Sequence, residues 1–451
     1  MESRDADLPR SELLRLLPSG NSSAETRSRA CVDRCSWHGI TIPPSMRNHS
    51  GLKRHATLVS LVAAAGVTLG SACNEPTRPG EGQVKERWFQ SQATGFPYSA
   101  PLVDGSTVYF ASGGGLVIAR DLETGSAKWT TSIGQSIYSQ SAEIGGENFV
   151  LKAGVLVAAV RYHVAGIDAL TGTSLWQYAA PLDTIADPSP RPGYLVEARI
   201  AADDNTVFIP AWGATVSAVD LRTGLRKWVW RVEPNLPNRS GASGVRLSGD
   251  TVFATVWHFL NQSGTQSEAW LVALDKQTGQ ELWRVVFPRQ ASGTMINCAP
   301  VVWKNLVIVT LASGDLFAID RITRSIAWHI LPQIGDDGFG AALVTGAEVY
   351  EDNIYASGSD QKIHAYRATD GSQLWATFAG QLLTDLSVTN KFVYASNGAS
   401  LYVFDRLTGA QYSALGHPRK SANYTFSSPP TAENGTVFIT ISDGAWSFVE
   451  P

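Results

Sequence analysis

The sequence predicts an all-β fold, a propeller of eight blades, and three observations carry that expectation. A nine-residue pattern recurs seven times, at a spacing of roughly 40–50 residues that suits a propeller, a solenoid or an array. Apolar runs of strand length surround each copy, about four to a repeat, which is the strand count of a propeller blade. The first and last stretches of the repeat region are incomplete, and together they supply one further blade.

The clearest copy of the pattern is Asp275-Lys276-Gln277-Thr278-Gly279-Gln280-Glu281-Leu282-Trp283, and the stretches 121–129, 168–176 and 220–228 repeat it without error. The copy at 320–328 has Arg324 where glycine belongs. The copy at 367–375 loses the aspartate and keeps Gly371 and Trp375. The copy that starts at Asp405 keeps the turn and has Tyr412 near the tryptophan position. Each part has a physical task. The aspartate accepts hydrogen bonds from backbone N–H groups just after it and starts a turn. Glycine permits the positive φ at which the chain reverses, and so sets the register of the next strand. The tryptophan stands on that strand and offers about 150–250 Å² to a neighbour. One per repeat implies a wedge between adjacent blades, and the expected wedges are Trp88, Trp129, Trp176, Trp228, Trp283, Trp328 and Trp375.

The strands follow from composition. Runs such as Leu316-Phe317-Ala318-Ile319 precede the aspartate, and strong runs such as Thr206-Val207-Phe208-Ile209 and Thr436-Val437-Phe438-Ile439 lie one strand earlier, behind turn residues such as Asp204-Asn205 and Asn434-Gly435. The C-terminal stretch 427–451 holds three strands and no tryptophan turn. The N-terminal Lys85-Glu86-Arg87-Trp88-Phe89 is a lone strand. Joined, they make the eighth blade and close the ring without an open sheet edge.

At 451 residues the chain is long enough for two or three ordinary domains, but the repeats place 84–451 in one ring. Gly is frequent at 41 residues, charged residues make up only 17%, and the net charge is −4, with no basic run in the repeats. Nucleic acid is therefore not an expected partner. Of the four cysteines, Cys31, Cys35, Cys73 and Cys298, the last alone falls in the ring, which excludes a disulfide framework there.

Residues 1–45 mix Arg, Ser, Asp and Pro without strand periodicity and read as disordered, with Met46 as the expected true start and 1–45 as an extension of the gene model. Cys31, Cys35 and His38 lack a second pair of ligands, so a tail is expected there rather than a metal site. From Met46 a signal peptide is expected over 46–72: basic Arg47, Lys53 and Arg54, an apolar run over 56–69 too short for a membrane span, then Gly70-Ser71-Ala72 before Cys73. This segment resembles a bacterial lipoprotein signal, with Ser71 and Ala72 matching the lipobox and Gly70 standing where Leu is usual. The resemblance implies that Cys73 is lipidated and becomes the mature N-terminus, with 73–83 as a tether. Cleavage after Ala72 with plain secretion is the alternative.

The Asp-x-x-Thr-Gly-x3-Trp pattern resembles the tryptophan-docking repeat of the pyrroloquinoline quinone (PQQ)-like eight-bladed propellers, over 84–451. Two branches of that family matter. One is the quinoprotein dehydrogenases, with an adjacent cysteine pair and a calcium held by carboxylate and Asn ligands. The other is the BamB-type lipoprotein of outer-membrane barrel assembly, a scaffold without cofactor. The chain is nearer the second in character. Cys298 has no cysteine neighbour, no Cys-x-x-Cys-His occurs, and no three carboxylates can be assigned to one metal. His163, His258, His329, His364 and His417 share no ligand spacing, and Gly113-Gly114-Gly115 reads as a hairpin, not a phosphate loop. The expected function is thus a non-catalytic, monomeric, lipid-anchored scaffold of the cell envelope that binds protein partners at the outer membrane, on its periplasmic side. The alternatives are a PQQ- and calcium-dependent oxidoreductase and a ligand- or polysaccharide-binding propeller. The longer connections, 181–193, 233–241, 257–268, 287–297 and 331–339, are expected to build the binding face. Within them an exposed Trp257, His258 and Phe259 are the expected partner anchor, and a hairpin packed on its own blade is the alternative.

Overall fold

The computed structural model describes residues 84–451 apart from 92–99, 113–114, 135–148, 161–162, 181–198, 233–239, 261–265, 289–295, 297, 313, 332–345, 359, 381–383, 420–423 and 427. Among the described residues there are eight four-stranded antiparallel sheets. Seven are consecutive in sequence. Blade 1 runs from strand Leu102–Asp104 to Ala127–Ser132, blade 2 from Phe149–Lys152 to Ser174–Tyr178, and blade 3 from Ala201–Ala202 to Arg226–Arg231. Blade 4 runs from Ser240–Ser248 to Glu281–Val286, blade 5 from Val301–Trp303 to Ser325–Ile330, blade 6 from Glu348–Tyr350 to Gln373–Phe378, and blade 7 from Ser387–Val388 to Gln411–Leu415. We letter the strands of each blade A to D. The A strands touch their neighbours all the way round, blade 8 to blade 1 included, so they line the axis and the D strands form the rim.

Blade 8 takes its A, B and C strands, Thr431–Glu433, Thr436–Ile441 and Gly444–Val449, from the end of the chain and its D strand, Glu86–Ser91, from the beginning. The ring therefore closes as expected. Phe89 pairs with Trp446 and Ser91 with Gly444, where a Cβ would lie 2.4 Å from the Gln90 carbonyl oxygen, so only glycine fits. Arg419, in the link after blade 7, donates to both carboxylate oxygens of Glu86 at 2.7 and 2.8 Å and pins the strand from outside.

The repeated turn is built the same way in five blades, 1 to 4 and 7. In blade 1, Asp121 Oδ1 accepts from the backbone N–H of Glu123 and Thr124 and from the Thr124 hydroxyl, all at 2.9–3.1 Å. Gly125 N–H donates back to the Asp121 carbonyl at 2.9 Å, with φ at +68°. Hydrogen bonds from Thr124, Thr171 and Thr278 hold the Asp121, Asp168 and Asp275 carboxyls below the usual carboxylate range. In the divergent blades the geometry persists. Arg324 takes φ +60° in the place of glycine, and in blade 6 Asp370 replaces the missing aspartate by accepting from Ser372.

Each turn is the seat of the preceding blade's tryptophan. The indole N–H of Trp176 donates to the Leu221 carbonyl at 2.8 Å, and Trp88, Trp129, Trp228, Trp328 and Trp375 make the equivalent bond to Leu122, Ala169, Lys276, Ala368 and Arg406. The ring lies flat on the turn glycine, so a Cβ on Gly224 would sit 2.8 Å from Trp176. On its own blade each tryptophan faces a small residue, Ala119 opposite Trp129 and Gly166 opposite Trp176, beside a recurrent bulge between strands C and D. Trp283, whose neighbour lacks the glycine, packs into the cluster shared by blades 4 and 5. Eight larger apolar clusters, one for each junction between adjacent blades, occur among the described residues, with a small ninth of Ala180 and Ala211. One expectation needs correcting. In blade 7 the tryptophan position belongs to Ser413, paired with Val403, whereas Tyr412 points the opposite way, as strand alternation demands, onto Phe392 at 5.0 Å. Trp446, Tyr394 and Phe426 fill that interface instead.

The A–B and C–D turns share one face of the ring. The residue after the pattern aspartate donates its N–H to the A–B turn of the same blade, Leu122 to Ser106, Ala169 to Gly154, Leu221 to Asn205, and so on round to Glu450 and Gly435 in blade 8. The B–C hairpins and the links between blades lie on the other face.

Two outcomes are expected from this architecture. Deleting 84–90 leaves blade 8 with three strands and an open edge, and size-exclusion chromatography with thermal melting should show aggregation; a monomeric deletion variant of unchanged melting temperature would contradict closure by this strand. Gly224→Ala and Gly435→Ala both place a side chain at positive φ, +69° and +72°, but only the first meets a neighbour, since nothing lies within 4 Å of a Cβ at 435. Gly435→Ala should cost about 1 kcal/mol and Gly224→Ala clearly more in denaturant unfolding; equal losses would remove the seating role of the turn.

Candidate functional site

The residues expected to stand exposed do not. Trp257 and His258 are 5% and 4% exposed, and Phe259 is half-buried. The cause is strand length. Strands A, B and C of blade 4 are nine residues each, so the stretch expected to start a loop is still sheet, with Trp257 opposite Gly241. Trp257 packs edge-on against Trp212 of blade 3 at 5.9 Å, and His258 lies over Trp270 at 4.6 Å. The long connections that surround them fall largely outside the described residues. Cys31, Cys35, Cys73, the segment 46–72 and the tether 73–83 fall wholly outside.

The axis of the ring holds the most concentrated charge in the interior. Arg199 leads into blade 3 and Asp385 into blade 7, opposite members of an eight-membered ring, yet the Arg199 guanidinium meets the Asp385 carboxylate at 2.7 Å. Their side chains are 7% and 15% exposed. The other Asp385 oxygen accepts the N–H of Gly346, at the start of blade 6, at 3.0 Å, and the Arg199 carbonyl accepts from Val245 of blade 4 at 3.1 Å. Arg199 holds φ at +79°, a conformation that costs an L residue roughly 1 kcal/mol or more and so needs such contacts to persist. Cys298 lies beside it, fully enclosed and hydrogen-bonded to the Thr310 hydroxyl at 2.6 Å, and burial pushes its thiol up. All four residues precede A strands, so the clasp closes the axis toward the face that carries the links. No motif in the sequence pointed to Arg199 or Asp385.

Two cavities open on the axis below the clasp. One, of about 330 Å³, is walled by A strands of blades 1, 6, 7 and 8 and carries Glu348, Asp385 and Glu433. The other, of about 410 Å³, lies among the A strands of blades 1 to 4, with Lys152 and Arg246 at its edge. Burial, with Asp104 nearby, raises the Glu433 carboxyl above its ordinary range. A polyanionic quinone does not suit the first cavity, because its walls carry three carboxylates and the arginine beside it is already paired. Among the described residues no three of His, Cys, Asp and Glu converge as metal ligands. His329 and His364 meet Asp315 and Asp360 of their own blades at 2.6–3.1 Å, whereas His163 of blade 2 bonds the Ile133 carbonyl at the end of blade 1 and His417, in the link after blade 7, meets Asp443 of blade 8 at 2.9 Å.

The family model described as outer membrane protein assembly factor BamB matches residues 59–229 and 213–448. The chain belongs to this family. Outer membrane protein assembly factor BamB of Burkholderia pseudomallei (strain K96243) is 29% identical over 343 residues, 72% of this chain and 79% of the relative. The crystal structure of BamB from Moraxella catarrhalis superposes with a TM-score of 0.62 at 15% identity, over 82% of this chain and all of that one, a likeness of fold. Quinohemoprotein alcohol dehydrogenase of Comamonas testosteroni is 30% identical over 156 residues, only 31% of this chain and 20% of the enzyme. The similarity to the family thus runs round the ring, whereas that to the dehydrogenase covers a part.

The clasp yields a direct test. Arg199→Ala leaves the Asp385 carboxylate buried without its partner and should cost about 3–5 kcal/mol in denaturant unfolding. The double variant Arg199→Ala/Asp385→Ala should lose much less than the sum of the single changes; strict additivity would mean that the two groups do not interact in solution.

Proposed function

We propose that the chain is a non-catalytic scaffold of the bacterial cell envelope, held to the membrane by lipid on Cys73, that binds other proteins in outer-membrane protein assembly and works without a cofactor. The family match over the whole ring carries this reading, together with the name of relatives that align over most of their length. The chemistry of the ring supports it. Its histidines, its buried arginine and its turn carboxylates are engaged in holding blades together, which is the use a scaffold makes of polar groups. The D strands at the rim offer backbone edges to an extended segment of a partner, and the links between blades offer side chains. The basic, apolar and small residues of 46–72, followed by Cys73, support export and acylation.

The test is expression from Met46 in a Gram-negative host, with and without Cys73→Ala, followed by fractionation and chemical cross-linking. The parent should sediment with membranes and cross-link to the outer-membrane assembly barrel, and the variant should be soluble or unprocessed. Recovery of both in the soluble periplasm, cleaved alike after Ala72, would point to a secreted propeller and remove the anchor. Purified protein mixed with PQQ and calcium should neither take up the quinone stoichiometrically nor reduce a dye; uptake with activity would overturn the scaffold reading.

A further inference from the structure

The face formed by the A–B and C–D turns carries apolar side chains that the fold does not demand. Leu170, Leu225, Ile322 and Leu407 stand on the C–D turns of blades 2, 3, 5 and 7 with 88%, 70%, 67% and 68% of their surface exposed. Three of them occupy the second position after the pattern aspartate. Blades 1, 3 and 4 put Glu123, Arg222 and Gln277 there, so the turn tolerates a polar residue equally well. Leu225 follows the turn glycine, where blades 1 and 2 have Ser126 and Thr173. Because C–D turns lie at large radius, the four aliphatic groups sit at separate points around the circumference of one face. Each points away from the blade clusters; Leu331, Phe378 and Val286, 66%, 63% and 51% exposed, stand at the other end of D strands, on the face that carries the links.

The chain itself indicates what that face meets. The D strand of blade 8 starts at this face: Lys85 accepts from Val449 N–H at 2.9 Å, at the end that corresponds to a C–D turn in the other blades. At Val84 the chain therefore enters the ring on the same side as the four aliphatic groups. An eleven-residue segment from Cys73 to Gln83 spans at most roughly 36–40 Å, which keeps any anchor at Cys73 within reach of this face. Arg222 and Arg226 flank Leu225 and are exposed, as is Arg324 beside Ile322, an arrangement that suits aliphatic insertion with cationic heads at phosphate level. Of the acidic residues on the A–B turns of this face, Asp203 and Asp250 meet Lys276 and Asp352 meets Lys304, whereas Asp104, Asp204 and Glu433 stand exposed.

We propose that the ring rests with this turn face on the phospholipid surface to which it is tethered, inserting Leu170, Leu225, Ile322 and Leu407 among the headgroups and turning the face with the links toward its partners. The proposal rests on the reading of Cys73 as an anchor, and mass spectrometry of the Cys73 peptide reads that anchor separately. The docking test uses the chain with Cys31→Ser, Cys35→Ser and Cys73→Ser, in which the buried Cys298 stays unlabelled. An environment-sensitive dye is placed at Leu225→Cys or, at the opposite end of a D strand, at exposed Val286→Cys. The protein is bound to vesicles of phosphatidylethanolamine and phosphatidylglycerol, three to one, containing doxyl-labelled lipid. Dye at 225 should be quenched and blue-shifted, and dye at 286 should not. The fourfold variant Leu170→Ser/Leu225→Ser/Ile322→Ser/Leu407→Ser, checked for unchanged melting, should bind the same vesicles at least tenfold more weakly when not acylated. Equal quenching at both positions, stronger quenching at 286, or unchanged binding of the fourfold variant would each overturn the docking, whether or not Cys73 carries lipid.

Discussion

At six of its eight junctions the ring depends on the seating of an indole on the turn of the next blade. The turn must be tight, which the aspartate and threonine ensure, and bare at its apex, which glycine ensures. The indole N–H then finds a carbonyl that the turn itself leaves free. One contact thus combines apolar burial, a hydrogen bond and a fixed distance between blades. Repeated around a circle it sets the angle between neighbours and hence the number of blades that close. Where one component is lost the others hold the geometry: Arg324 still adopts the left-handed conformation, and Asp370 supplies the acceptor that Arg367 cannot.

The legibility of the sequence follows the range of the interactions. The turn and its tryptophan are coded within nine residues, so blade count, strand order and the joining of first and last segments could be read directly. The small residue opposite each tryptophan and the recurrent bulge were less visible, because alanine in a strand carries no signal until its partner across the sheet is known. Tyr412 looked like a displaced tryptophan only because sequence proximity ignores the side to which a strand residue points. Trp257 and His258 looked like loop aromatics because nothing local shows that blade 4 continues for three further residue pairs. The Arg199–Asp385 clasp, 186 residues apart in the chain, could not be seen in any window of sequence, since it exists only after the circle has formed.

That clasp also bears on how far likeness to quinone enzymes extends. A ring with a wide axis is a natural cofactor site, and the fold alone does not say whether it is used as one. Here the axis is crossed by a buried ion pair and its walls carry carboxylates. The pair closes the axis toward the face that carries the links, and the two cavities lie below it.

Closure by the first strand has a consequence for biogenesis. Glu86–Ser91 leaves the ribosome before any other part of the ring, yet its partner Gly444–Val449 is the last strand to appear. The seven inner blades can assemble in order as they emerge, but the earliest strand must wait, unpaired, for nearly the whole length of the chain. Completion is therefore a single late event of very long loop closure, slow by its entropy. Until then two sheet edges stay open to other chains. A protein built in this way depends on protection during synthesis more than its finished stability would suggest.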